Sequence, residues 1–196
     1  MPIDYLDHLP DRFTADAVDL YLNAFKDKLG PILGNDRRAR DVLINNVNAT
    51  QCLAAICDQR LVGILSIQHS AGRFLNPTLS AMVRAYGWPG GILRLFGLAL
   101  LDHSTAADEL YVDGIAVIEE KRGNGIGSGL LELLEKMAMK KGSRRISLEV
   151  IDTNPKAEAL YRRLGFKVVK QKTLRLLNFI FKFTFKSSRL MVKRIN

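Results

Sequence analysis

The sequence predicts an α+β protein, a mixed β-sheet flanked by helices in an α/β/α arrangement. Three observations lead there. Two apolar runs, CLAAIC and LVGILSIQ, flank Asp58-Gln59-Arg60 and read as a hairpin of buried strands. Farther on, ELYVDGIAV (Glu109 to Val117) reads as a strand that leads through a glycine-rich loop into a helix. The pattern then continues as strand, short helix and strand, with helical patterns before the hairpin supplying the flanking layers.

Taken in order, Thr14 opens the helical pattern TADAVDLYLNAFKDKLG. Val18, Leu20, Tyr21, Leu22 and Phe25 form its apolar face, and Gly30-Pro31 is its expected stop. A second short helix is expected from Arg37 to Val47. After the hairpin, Asn76 is the expected cap of a helix with Pro77 in its first turn and Gly87 as its stop. WPGG (residues 88 to 91) reads as a turn before a helix from Ile92 to about Asp102. Ile126 to Lys141 is an amphipathic helix with Ile126, Leu130, Leu133, Leu134, Met137 and Ala138 on one face and Gly142 as its left-handed cap. In RRISLEVI (residues 144 to 151), Ile146, Leu148 and Val150 alternate with Ser147 and Glu149. Asn154-Pro155 caps a helix ending at Gly165, and strands follow at Phe166 to Lys172 and Arg189 to Ile195.

With 196 residues, 47% hydrophobic and 25% charged, the chain suits one soluble globular domain spanning residues 1–196. The net charge of +9 is unevenly spread, since no acid follows Glu158. Eleven basic residues from Arg162 to Arg194 account for the whole excess. Such a block suits an anionic ligand, nucleic acid or an acidic membrane surface, and equally suits solvated strand faces. Cys52 and Cys57 lie five apart in an apolar run, so on a strand they face opposite ways and cannot pair. They read as reduced core thiols, which points to a cytoplasmic protein. His8, His69 and His103 are too scattered for a metal site, so no metal is expected. MPIDYLDHLP is no signal peptide, and ILRLFGLALL (Ile92 to Leu101) is too short to span a bilayer.

The stretch KRGNGIGSG carries glycine at 123, 125, 127 and 129. Neither a P-loop (G-x-x-x-x-G-K-S/T) nor a dinucleotide fingerprint (G-x-G-x-x-G) fits, because Ser128 and Leu130 stand where glycine is required. The physics of an anion site still applies. The first amides of a helix lack intrahelical partners and carry the positive end of its dipole, and glycines let phosphate oxygens approach.

These residues resemble the GNAT superfamily of N-acetyltransferases. Its central pattern, Q/R-x-x-G-x-G-A/G, is met by Arg122, Gly125 and Gly127, with Ser128 as the last small residue. Its second pattern, N-x-x-A-x-x-L-Y-x-x-x-G-F, is met in full by Asn154, Ala157, Leu160, Tyr161, Gly165 and Phe166. The close likeness covers about residues 109 to 169. Residues 74–103 do not match in detail and form an atypical insertion, and neither does the tail after Lys172.

The resemblance implies a mostly antiparallel central sheet of about seven strands, splayed between its fourth and fifth strands, here residues 109–117 and 144–151. It implies acetyl-CoA as acyl donor and an amine as acceptor. Arg122, Gly123, Asn124, Gly125, Ile126, Gly127 and Ser128 are the expected pyrophosphate site. Ile115, Ala116 and Val117 are expected to pair with the pantetheine arm, and Asn154 to orient it.

Transfer to an amine needs a base, because amines are mostly protonated at neutral pH. Glu149 is the leading candidate and Asp113 the second, with a strand bulge or a substrate-binding role as the alternative for Asp113. The Val117 amide is the expected oxyanion donor, and Tyr161 the expected acid for the departing thiolate. Tyr161 also lines the expected cofactor site. The acceptor side is expected among residues 25–47 and 74–103, where Tyr86, Trp88, Phe96 and His103 are candidates to line it. Their alternative is core packing or a homodimer contact. Two other functions stay open at this point: a non-catalytic acyl-CoA sensor, and binding of nucleic acid or membrane through the basic C-terminal part. FIFKFTFK (residues 179 to 186) bears on the latter, although such alternation more often marks one buried and one solvated face.

Overall fold

A computed structural model describes residues 2–34, 36–69, 72–103, 105–173 and 183–195. Asp58 and Gln59 adopt left-handed conformations (φ 50° and 59°), as a two-residue hairpin turn requires. They join β2 (Cys52–Cys57) to β3 (Arg60–His69) with Cys57 opposite Arg60. Every residue of β2 is buried, so the hairpin lies at the centre of the fold. Cys52 and Cys57 are free thiols packed on opposite faces of the sheet.

Around this hairpin the sheet runs β1 (Asp4–Leu6), β2, β3, β5 (Glu109–Val117), β6 (Arg145–Ile151), β8 (Ser187–Arg194), β7 (Lys167–Thr173). The two-residue β4 (Gly72–Arg73) adds to β3. Among the described residues only β5 and β6 pair in parallel. The sequence reading missed β1 and β4, which are too short to show a period.

One face of the sheet packs on α5 (Ile126–Lys140) and α6 (Pro155–Arg163). Ile146, Leu148 and Val150 point there, with Ile126, Leu130, Leu131, Leu134 and Ala138 of α5. The other face packs on α1 (Thr14–Ala24), α2 (Lys26–Leu33), α3 (Arg37–Ile44) and α4 (Leu79–Leu100).

Three expected boundaries are corrected. The first helix breaks at Phe25 (φ −111°, ψ 21°) rather than at Gly30-Pro31, and α2 carries Pro31 inside it before ending at Gly34 (φ 83°). Asn76 does not cap α4: the chain before the helix is still bridged to residues 46–47, with Asn76 N–H on Asn46 O at 3.1 Å, and the helix starts at Leu79 with Thr78 as cap, its Oγ1 accepting from Ala81 N. WPGG is no turn: Gly87 (φ 73°, ψ 168°) is the break, and Trp88 to Gly91 already belong to the second half of α4. Pro89 is tolerated there because first-turn amides have no helical partner.

The kink brings the two halves of α4 together. A Cβ on Gly91 would stand 2.8 Å from Met82 C and Val83 N. The outer side of this helix exposes Trp88, Ile92, Leu93 and Phe96. No helix among the described residues is long and apolar enough to cross a membrane.

Four of the eleven basic residues of the C-terminal block form ion pairs among the described residues. Arg162 and Arg189 pair with Glu158, Lys172 with Glu149, and Lys193 with Glu135. Of FIFKFTFK, residues 179–182 lie outside the described residues. In the remainder Phe183 and Phe185 are buried while Thr184 and Lys186 are exposed, as one buried and one solvated side would require.

Gly91→Ala is expected to destabilise the protein by about 1–3 kcal/mol, because the added methyl meets main-chain atoms that have no rotamer to escape into. Gly90→Ala, whose nearest neighbours stand at 3.4 Å, is the milder control. Urea titration of both variants measures the difference.

Candidate active site

The site begins where two paired strands part. β5 and β6 pair over only four positions, from Glu109 with Arg145 to Val112 with Leu148. The closed end of this pair is pinned by Glu109, which is buried and accepts from Ser147 Oγ. His103 Nε2 lies 3.4 Å and Arg145 Nε 3.6 Å from the same carboxylate.

Beyond Val112 the strands separate. On its other edge β5 pairs with β3, and the register slips by one residue between Gly114 opposite Ser66 and Val112 opposite Ile67. Asp113 is therefore the extra residue of a β-bulge, which re-aims its strand and side chain. Packing explains the location. The rings of Phe25 and Tyr21 lie on Gly114, where a Cβ would collide with Phe25 and stand 3.1 Å from Tyr21 Cε2. The broken junction of α1 and α2 thus rests on the bulge.

The register also says which backbone groups are free. Ile118 N donates to Val62 O at 3.0 Å, which makes this a hydrogen-bonded pair. Alternation then makes Ile64/Ala116 a bonded pair and turns the amides and carbonyls of Ile115 and Val117 away from β3, toward the gap. Of the three residues expected to meet the pantetheine arm, Ile115 and Val117 present backbone to the gap. Ala116 engages Ile64.

The gap is a cleft of about 290 Å³. Asp113, Glu149 and Tyr161 all line it, as do Ile115 and Asn154. Both Glu149 oxygens are engaged, by Lys172 Nζ at 2.6 Å and Ser188 Oγ at 3.2 Å. Asp113 Oδ2 accepts from Tyr21 Oη at 3.0 Å, and its other oxygen has no hydrogen-bonding partner among the described residues. Burial raises the Tyr21 pKa well above the usual phenol value, with the charge of Asp113 adding to the effect. Burial also pushes Tyr161 up to about 12. The Tyr161 hydroxyl has no hydrogen-bonding partner among the described residues; its ring sits 6.0 Å from that of Phe166. Asn154 Oδ1 caps α6 by accepting from Ala157 N at 3.1 Å, which leaves its amide NH₂ for other partners.

The glycine stretch closes one end of this region. Gly123 (φ 81°) and Gly125 (φ 78°) take left-handed conformations that make the turn into α5. A Cβ on Gly127 would stand 3.8 Å from Leu160 and 3.9 Å from Ile115, so the helix start abuts β5 and α6. Gly129 serves packing: Tyr5 occupies the space of its missing side chain. Arg122 Nε donates to Val117 O at 3.1 Å, and Asn124 Nδ2 to Lys121 O at 3.2 Å, which holds the loop in place. The amides of Ile126, Gly127 and Ser128 open α5 and have no acceptor within the helix.

The aromatic residues expected on the acceptor side are elsewhere. Tyr86 donates to Leu33 O at 2.9 Å with Arg94 over its ring, and His103 stacks on Tyr111. Trp88 and Phe96 face outward. The sequence reading missed Tyr21, Lys172 and Ser188 as neighbours of the site. Tyr21 carried only the signal of an apolar helix face, and β8 returns to the cleft from nearly forty residues farther along the chain.

A mixed sheet whose one parallel pair among the described strands parts at a bulge, beside a glycine-led helix start, is the arrangement that the resemblance to the GNAT superfamily leads one to expect. Comparison with known proteins agrees: the profile of the Acetyltransferase (GNAT) family matches residues 18–166, and this chain belongs to that family. It is 34% identical over 94 residues to thialysine N-epsilon-acetyltransferase of Sus scrofa, a match covering 47% of this chain and 55% of that protein. The chain thus spans about half the length of the curated relatives it matches. Among solved structures, an N-acetyltransferase from Staphylococcus aureus Mu50 superposes with a TM-score of 0.66 at 15% identity, covering 97% of this chain and 100% of the other. The polyamine N-acetyltransferase of Drosophila melanogaster does so with a TM-score of 0.64 at 16% identity, covering 98% and 100%. These likenesses establish the fold.

The raised pKa of Tyr161 has a consequence for stability. Its folded value of about 12 exceeds the ordinary value of 10.0, so the stability held by the neutral phenol is fully present below pH 10 and lost as pH rises through about 12. Over that window the unfolding free energy of the wild type should fall more steeply than that of Tyr161→Phe. Denaturant titrations at stepped pH measure this.

Proposed function

We propose that this protein is an acetyl-CoA-dependent N-acetyltransferase that transfers the acetyl group to a primary amine by direct attack in a ternary complex. The observation that carries the reading is convergence on one cleft. The free backbone of Ile115, two carboxylates and a tyrosine hydroxyl without a hydrogen-bonding partner among the described residues face the parting of β5 and β6, with the Val117 N–H and the open amides of α5 at its glycine-loop end.

The roles follow from position. The amides from Gly125 to Ser128, with Arg122, would hold the pyrophosphate, since a helix start favours anions. The backbone of Ile115 would pair with the pantetheine amides, as an added strand would, while the Val117 carbonyl is held by Arg122 and leaves the Val117 N–H for the acyl group. The cosubstrate supplies a thioester carbonyl to the nucleophile.

Asp113 is the better-supported proton acceptor for the attacking ammonium. It keeps an oxygen without a partner among the described residues, whereas both Glu149 oxygens are occupied. Glu149 then orients Lys172 and Ser188 at the edge of the cleft. As the C–N bond forms, Val117 N–H donates to the carbonyl oxygen that becomes an oxyanion; a donor of this kind is worth about 2.7–4 kcal/mol in a barrier. As the C–S bond breaks, Tyr161 gives its proton to the departing sulfur. With a pKa near 12 it holds that proton throughout the neutral range.

Acetyl-CoA should bind, seen by titration calorimetry, and thiol release should require an added amine. Binding without release across a broad amine panel would instead identify a sensor. Tyr161→Phe should lower kcat by about 10²-fold or more while acetyl-CoA affinity changes little. Asp113→Asn should cost more in kcat than Glu149→Gln; the reverse order would return the base to Glu149.

A further inference from the structure

A second cavity, of about 280 Å³, adjoins the cleft and shares Asp113, Lys28, Leu101 and Asp102 with it. It lies between α2, α3 and the second half of α4. Building on the N-acetyltransferase reading, we infer that this cavity seats the body of the acceptor, and that the acceptor is a primary amine carried on an extended apolar group.

The walls argue for this. Leu29 and Leu33 of α2, Leu43 of α3, Leu75, and Leu95 and Leu98 of α4 make the lining predominantly aliphatic. The ionisable groups are few and mostly committed. Arg73 and Asp102 form an ion pair, so neither offers its charge to a ligand. Tyr21 donates to Asp113. Asp113, at the junction of cavity and cleft, is thus the lining carboxylate with no cation paired to it among the described residues, and its second oxygen is the position for an ammonium. The amine nitrogen bound there faces the gap, and the carbon chain extends away from it among the leucines.

The same walls disfavour a second positive charge. A polyamine or guanidine tail entering the cavity would meet leucine side chains, a neutralised carboxylate and the ammonium of Lys28. A buried cation without a partner is costly. The kinked α4 decides this specificity, because its inner face supplies Leu95, Leu98 and Ala99.

The test is thiol release from acetyl-CoA with n-alkylamines from propylamine to heptylamine, phenethylamine, spermidine and agmatine, alongside acetyl-CoA titration. The expected result is a kcat/KM that rises about fourfold per added methylene until the cavity is full. Phenethylamine should be accepted, with spermidine and agmatine at least tenfold below the best alkylamine. Leu98→Phe should move the optimum to shorter chains, and Leu98→Gln should flatten the chain-length dependence, both with acetyl-CoA affinity unchanged. Spermidine or agmatine matching the best alkylamine, or a flat wild-type series, would overturn the inference and leave the N-acetyltransferase reading intact. Acetyl-CoA binding with no amine turned over would overturn both.

Discussion

The arrangement of this protein hangs on a strand that runs out of partners. β5 pairs with β6 from Glu109 to Val112 and with β3 from Tyr111 to Val117, so it is paired on both edges at Tyr111 and Val112 and on the β3 edge alone thereafter, with β6 carried off by its pairing to β8. A backbone edge left open inside a fold exposes polar groups that need partners, because unpaired buried amides and carbonyls cost about 1–3 kcal/mol each. Here that demand is met by leaving the edge facing a cleft, where solvent or an extended ligand can reach it. The bulge at Asp113 holds the strands apart, and the rings of Tyr21 and Phe25 on Gly114 hold the bulge.

The same contact ties the two sides of the site together. α1 ends at the bulge because Phe25 turns onto Gly114, and Tyr21, four residues earlier, reaches Asp113 with its hydroxyl. Asp113 thereby belongs both to the cleft between the strands and to the leucine-lined cavity beneath α4. A single inserted residue in β5 thus stands in the walls of both the cleft and the cavity. At the other end of the pair, buried Glu109 and Ser147 keep the strands closed, so the opening has a fixed hinge point.

How legible this was depended on the range of the interactions involved. The Gly125 turn, the Asn154 cap and the α5 apolar face are local, and short patterns encode them. The hairpin was legible because a two-residue turn separates two runs of buried residues. The expected stop at Gly30-Pro31 failed because a contact with β5 ended the helix earlier, and tertiary packing overrides local preference. The expected cap at Asn76 failed for a similar reason, since its peptide is held by Asn46 across the chain. WPGG looked like a turn because proline and glycine mark turns, yet proline is equally at home at a helix start.

The sequence by itself determined the order of the longer elements from the hairpin onward, the apolar and polar faces of β6, the anion-ready start of α5 and the tyrosine at 161. Each rests on residues within one or two turns of one another, whose spacing maps directly onto a period or a cap. Only the tertiary structure decided that Glu149 is held by Lys172 and Ser188, that Asp113 keeps an oxygen without a partner among the described residues, and that α4 turns leucines rather than its aromatic residues toward the cavity beside Asp113. Those outcomes depend on strand register and on the angle of a helix kink. Both are set by packing between segments far apart in the chain.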